Sequence, residues 1–133
     1  MKILALDLGD QWVGTAISDE LGFMAFPLET IPTKNLEQKL KQLCQLHKIK
    51  KIVVGYPLTM KGTQSEQTQK ILATHEKLKL TFSDIKFILW DERLTSKQAS
   101  TIKKAKTKQD KQKSHSIAAA FILDSYLQYV KTK

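Results

Sequence analysis

A chain of 133 residues, 41% hydrophobic and 26% charged, has the length and balance of one globular domain, and we expect a single domain over residues 1–133. It has no apolar run near the roughly 20 residues of a membrane span and no signal-peptide layout, and its lone cysteine, Cys44, excludes an intrachain disulfide; we expect a cytoplasmic protein with no membrane partner. A net charge of +9 points instead to a polyanionic partner, because neutralising phosphates releases counterions.

The first stretch, Met1 to Asp19, carries the most information. The apolar run Ile3 to Leu6 leads into one acid, Asp7, and such a strand sets its carboxylate at the rim of a sheet. Gly9 and Gly14 allow the positive φ or the close backbone approach that a tight strand–turn–strand needs. Asp7 is then either an acid ending a strand at a turn or part of a site that handles metal or phosphate. Gln11 to Asp19 reads as a second strand and Phe23 to Ile31 as a third, joined by the turn residues Asp19 to Gly22. Pro32 and Thr33 open a helix with Thr33 as its N-cap, and Leu36, Leu40, Leu43 and Cys44 give it an apolar stripe. Cys44 and His47 read as packing residues there.

Lys51 to Gly55 is a β-branched run ended by Gly55 and Pro57, the pattern of a parallel strand buried on both faces. After a loop from Tyr56 to Gly62, Thr63 to Glu66 form a capping box for a helix with Ile71, Leu72, His75 and Leu78 on its apolar side. Ile85 to Trp90 is the next strand, ending in Asp91, Glu92 and Arg93. Thr95 to Gln98 is a second capping box, and Ser114 or Ser116 caps a last helix containing Ile117, Ala120, Phe121, Leu123, Leu127 and Val130. The predicted order is β-β-β-α-β-α-β-α-α: a mixed five-stranded α/β sheet with helices packed against it. Sites in such sheets gather at the C-terminal ends of the parallel strands, where Asp7, Asp91 and Glu92 fall.

Charge patterning adds two clues. Between Lys97 and Lys113 there are seven lysines and one acid, Asp110, either a nucleic-acid contact or a solvated basic face. Of the 22 basic residues 21 are lysine, so the single arginine, Arg93, marks a position where a planar fork is needed. Carboxylates converging on a sheet rim without a cysteine or histidine cluster suit a hard divalent cation, Mg²⁺ or Mn²⁺, which can activate water against a phosphodiester. There is no Walker A sequence, Rossmann fingerprint or nucleophile elbow.

DLGDQWVGTAISD, VVGYPLTMKGTQSEQ, DERLTS and HSIAAAFIL, in that order, resemble the YqgF/RuvX family over Lys2 to about Tyr129. Its members have the ribonuclease H-like fold and are described as pre-16S rRNA nucleases or Holliday junction resolvases. The resemblance implies that Asp7 and Glu92 hold metal, with Asp91 as an alternate, and that Arg93 faces phosphate or braces the acids. It also implies substrate contacts from Lys61 and Gly62 in the loop after the fourth strand and from Thr95, with Lys103, Lys104, Lys106 and Lys108 tracking the backbone.

Two positions depart from the family pattern. Trp12 stands where an arginine is usual and can stack on a base or pack at the sheet edge. His115 stands where the last-helix motif usually begins with Asp. An imidazole there can ligate Mn²⁺, relay a proton as a general base, or simply cap the helix. The expected function is a metal-dependent hydrolase, a nuclease for 5′-end maturation of pre-16S rRNA, acting as monomer or homodimer. The alternatives are a junction resolvase acting as a symmetric dimer on branched DNA, and a nucleic-acid-binding protein whose site His115 has weakened.

Overall fold

The computed structural model describes residues 1–56, 66–92 and 108–131, with side chains in the last segment from His115 onward. Five strands run β1 (Leu4–Asp7), β2 (Trp12–Ser18), β3 (Ala25–Pro32), β4 (Lys51–Tyr56) and β5 (Lys86–Asp91). The helices are α1 (Leu36–His47), α2 (Glu66–Thr81) and α3 (Lys108–Lys131). The sheet order is β3-β2-β1-β4-β5. β1, β2 and β3 form the expected antiparallel meander, while β4 joins β1 and β5 joins β4 in parallel. The fold is the mixed five-stranded α/β sheet that the sequence pattern predicts.

Alternation along the strands divides the apolar residues into two cores. Leu4, Leu6, Val13, Ile52 and Val54 face α1 and α2, where they meet Leu36, Leu40, Ile71 and Leu78. Ala5, Ala16 and Val53 face α3 and meet Ala119, Ile122, Leu123 and Tyr126. Helix on both faces is why β4 is apolar throughout: Ile52, Val53 and Val54 are fully buried. Small alanines from sheet and helix let α3 lie close, and Trp90 anchors it by donating Nε1–H to Ser125 Oγ at 3.2 Å and stacking edge-on against Tyr126.

Local chemistry accounts for the connections. Gly22 takes a positive φ of 75° in the β2–β3 turn, and the Asp19 carboxylate accepts the N–H groups of Phe23 and Met24, which hold its carboxyl below the usual range. Midway along this hairpin the register shifts between Gly14 and Ala16. The Thr15 hydroxyl fills the gap by accepting the Glu29 N–H and donating to the Glu29 carbonyl.

Three sequence expectations are corrected. Thr33 does not cap α1: it lies in a 3₁₀ turn, Thr33–Asn35, and its hydroxyl donates to the Gly9 carbonyl at 2.8 Å. α3 starts not at Ser114 or Ser116 but at Lys108, because the lysines and glutamines before Ser114 are good helix formers and extend it into the stretch read as a loop. His75, read as half-buried, is 4% exposed. The helix expected from Thr95, and Thr63 of the first capping box, lie outside the described residues.

Candidate active site at the sheet rim

Asp7 ends β1 in the middle of the sheet, with Gly14 opposite it on β2 and Gly55 opposite it on β4. All three point to the α3 face, since Ala5, Ala16 and Val53, two residues away on each strand, pack there. Neither flanking glycine is needed for a turn. A Cβ on Gly14 would overlap the backbone carbonyl of His115 and lie 2.8 Å from the Ser116 nitrogen. Glycine at this place lets the α3 backbone rest directly on β2, and that contact delivers His115 to the rim. His115 Nδ1 lies 3.9 Å from Asp7 Oδ2, with the two side chains 34% and 20% exposed.

On the other side, a Cβ on Gly55 would collide with Ile122 Cδ1 and stand 3.4 Å from Glu92 Cγ. The open position over Gly55 is therefore where the Glu92 side chain, leaving the end of β5, lies against β4. Asp91 takes the opposite course. Trp90 packs under α3 while Leu89 and Phe87 pack on the α1–α2 side, and alternation sends Asp91 with the latter. Of the acids flagged in the sequence, Asp7 and Glu92 thus share a face with His115, and Asp91 does not.

Trp12 opens β2, half-buried and paired with Pro32, two residues along the strand from Gly14. Lys61, Gly62, Arg93, Thr95, Lys103, Lys104 and Lys106 lie outside the described residues, as does the side chain of Lys108, the first residue of α3. The sequence allowed positive φ or a close backbone approach at Gly14, and the structure shows the close approach, to α3; a glycine inside an apolar run, as at Gly14 and Gly55, often marks such a place.

Among the described residues, no group of three or more His, Cys, Asp or Glu side chains could by itself hold a metal ion. Asp7 and His115 supply a neighbouring pair of donors, with Glu92 on the same face. The set is incomplete as a metal site: a divalent cation there would take one or two of these carboxylates and draw its other ligands from water and substrate phosphate oxygens. The lone thiol takes no part. Cys44 is buried against the other face of the sheet, and burial, then the charge of Asp84, push it up to about 11, so it stays protonated.

The sequence model of the RuvX family, described as Holliday junction resolvase, matches residues 1–129. A protein named "Putative pre-16S rRNA nuclease" from Sulfurihydrogenibium sp. (strain YO3AOP1) is 42% identical over 129 residues, covering 95% of this chain and 89% of that protein. One of the same name from Clostridium tetani (strain Massachusetts / E88) is 39% identical over 142 residues, covering 100% of both. Among solved structures, T. thermophilus RuvC in complex with Holliday junction substrate superposes with a TM-score of 0.67 at 16% identity, over 99% of this chain and 96% of that one. Fowlpox virus resolvase in complex with Holliday junction DNA gives 0.56 at 15% identity, over 98% and 99%. At these identities the structural likeness concerns the fold, which is that of the ribonuclease H-like resolvases.

Proposed function

The chain belongs to the RuvX family, and on that premise we propose that it is a divalent-metal-dependent nuclease of the cytoplasm that hydrolyses phosphodiester bonds in 5′-end maturation of pre-16S rRNA. The observation that carries the reading is the Asp7–His115 pair over Gly14, with Glu92 over Gly55, at the C-terminal ends of three neighbouring parallel strands. The relatives' name supports RNA as the substrate.

In this proposal Asp7 and Glu92 hold Mg²⁺ or Mn²⁺, and His115 completes the site through Nδ1 or holds a proton there for the leaving oxygen. The cation supplies an activated water and neutralises charge that builds on the phosphodiester. Arg93, next after Glu92 in the chain, grips a non-bridging phosphate oxygen with its fork. Trp12 stacks on a flanking base, while Lys61, Gly62, Thr95, Lys103, Lys104, Lys106 and Lys108 contact the substrate backbone.

The test is cleavage of a labelled pre-16S rRNA leader beside a four-way DNA junction, each with Mg²⁺, Mn²⁺ or EDTA, using wild type, Asp7→Asn and His115→Asp. Leader cutting that needs metal and disappears in Asp7→Asn supports the proposal. Preferential, paired cutting of the junction supports the second reading, which the family's description favours. Binding without cutting, with turnover restored by His115→Asp, marks a site weakened by the imidazole.

A further inference from the structure

On the face away from Asp7, α1 and α2 stand apart and leave a groove of about 1250 Å³ between them. The site described above makes no use of it. The groove runs the length of α1, from Thr33 to Lys50, against the C-terminal half of α2 and the turn after it, Thr74 to Ile85. Along the 12 residues of α1 that is about 18 Å.

Five lysines line it: Lys34 near the rim, Lys41 and Lys77 along its walls, and Lys48 and Lys50 at the far end. All five are exposed. Among the described residues only two acids, Glu37 and Asp84, share the lining, and Glu37 is engaged by Lys77 at 3.3 Å. The floor is apolar, with the half-buried ring of Phe82 at the far end.

Lys48 carries a second and independent signal. It ends α1 with φ 55° and ψ 48°, the only non-glycine residue with positive φ among the described residues. Glycine is the usual choice at such a helix end because it takes this conformation without a Cβ penalty. The left-handed turn ends α1 at the far end of the groove, with Lys48 in its lining where glycine would be the easier residue.

The near end of the groove is tied to the site. Thr33, on its lining, donates its N–H to the Gln11 carbonyl at 2.9 Å and its hydroxyl to the Gly9 carbonyl at 2.8 Å, both in the turn that follows Asp7. We propose that the α1–α2 groove binds single-stranded RNA, the part of the substrate that continues past the cut and over the Gly9–Gln11 turn. Lysines at both ends and along the walls meet successive phosphates, and the apolar floor with Phe82 receives bases. A duplex is far wider than a cleft between two neighbouring helices, so the occupant is a single strand. The choice of RNA rests on the function proposed above.

The experiment is fluorescence-anisotropy binding of a single-stranded RNA leader fragment across a salt series, in an Asp7→Asn background so that nothing is cut. Lys41→Ala/Lys48→Gly is compared with the charge-matched Lys39→Ala/Lys79→Ala, whose lysines lie outside the groove. The groove variant is expected to bind more weakly and to lose about 1.4 from the slope of log K against log salt, about 0.7 for each phosphate contact. Lys48→Gly alone is expected to weaken binding while keeping or raising the melting temperature, which separates loss of a contact from loss of fold. Equal affinities and slopes in the two double variants overturn the groove while leaving the RNA nuclease standing. If the unsubstituted chain neither binds nor cuts single-stranded RNA, the groove proposal and the RNA reading fall together.

Discussion

Asp7, Glu92 and His115 carry the chemistry proposed here, and each can be tested through its charge and shape. Asp7→Asn keeps the volume and removes the negative charge, so metal-dependent cleavage is expected to fall on the order of 100-fold or more with little change in melting temperature. His115→Asp replaces a nitrogen donor by a carboxylate, which Mg²⁺ prefers. The expected result is a higher ratio of Mg²⁺-supported to Mn²⁺-supported cutting, read from initial rates in each metal.

A different histidine governs stability. His75 is 4% exposed and packs edge-on to Phe87 at 6.0 Å; among the described residues neither ring nitrogen makes a hydrogen bond, and Nδ1 lies 3.7 Å from Glu76 Oε1. Burial, and next the charge of Lys79, hold its pKa below the ordinary value. The unfolded chain takes up a proton as pH falls below about 6.5 and the folded chain resists it. Stability is therefore full above that pH and declines as pH drops below it. His75→Leu removes two buried nitrogens that make no hydrogen bond among the described residues and is expected to raise stability by about 1–3 kcal/mol and to flatten the decline, measured by urea unfolding at about pH 7.5 and about pH 5.

At the scale of elements, the site depends on α3 lying directly on β2. Gly14→Ala puts a methyl where the His115 carbonyl stands, a clash with backbone that cannot be relieved by a rotamer change. It is expected to cost about 1–3 kcal/mol and to displace His115 from Asp7, lowering cleavage more than the loss of stability explains. Gly55→Ala meets mainly side chains, Ile122 and Glu92, and is expected to cost less stability while still moving Glu92. Urea midpoints and cleavage rates of the two variants, measured together, check this ordering. The same contact explains how a residue inside a helix reaches the rim. Sequence reasoning brought His115 there as part of a helix start, whereas the helix begins seven residues earlier and passes over the strand.

For the whole molecule, the number of active sites on one substrate separates the readings. Trimming an RNA end needs one site, so the cleavage rate per molecule is expected to be independent of protein concentration. A junction resolvase needs two related sites, and its rate per molecule falls on dilution as dimers dissociate. Sedimentation velocity beside cleavage across a dilution series decides between them. The net charge of +9 includes the lysines of the α1–α2 groove and, in the sequence, the basic stretch from Lys97 to Lys113, so salt sensitivity is expected for either substrate.

The order of the described elements, the mixed sheet and the acids at the strand ends were legible in the linear sequence, because apolar alternation, helical stripes and turn residues are local signals that each segment carries by itself. Asp7, Asp91 and Glu92 could be placed at strand ends for that reason, the preference for Glu92 rested on the family resemblance alone, and Trp12 and His115 stood out as departures from the family pattern. The division between Asp91 and Glu92 was not legible. Neighbours in sequence differ only by which face of the sheet they meet, and that depends on where α3 docks. Nor was the part played by Gly14 and Gly55, since the space a glycine leaves has meaning only once the helix that fills it is in place. The groove likewise exists only because two helices far apart in sequence are held side by side on one sheet.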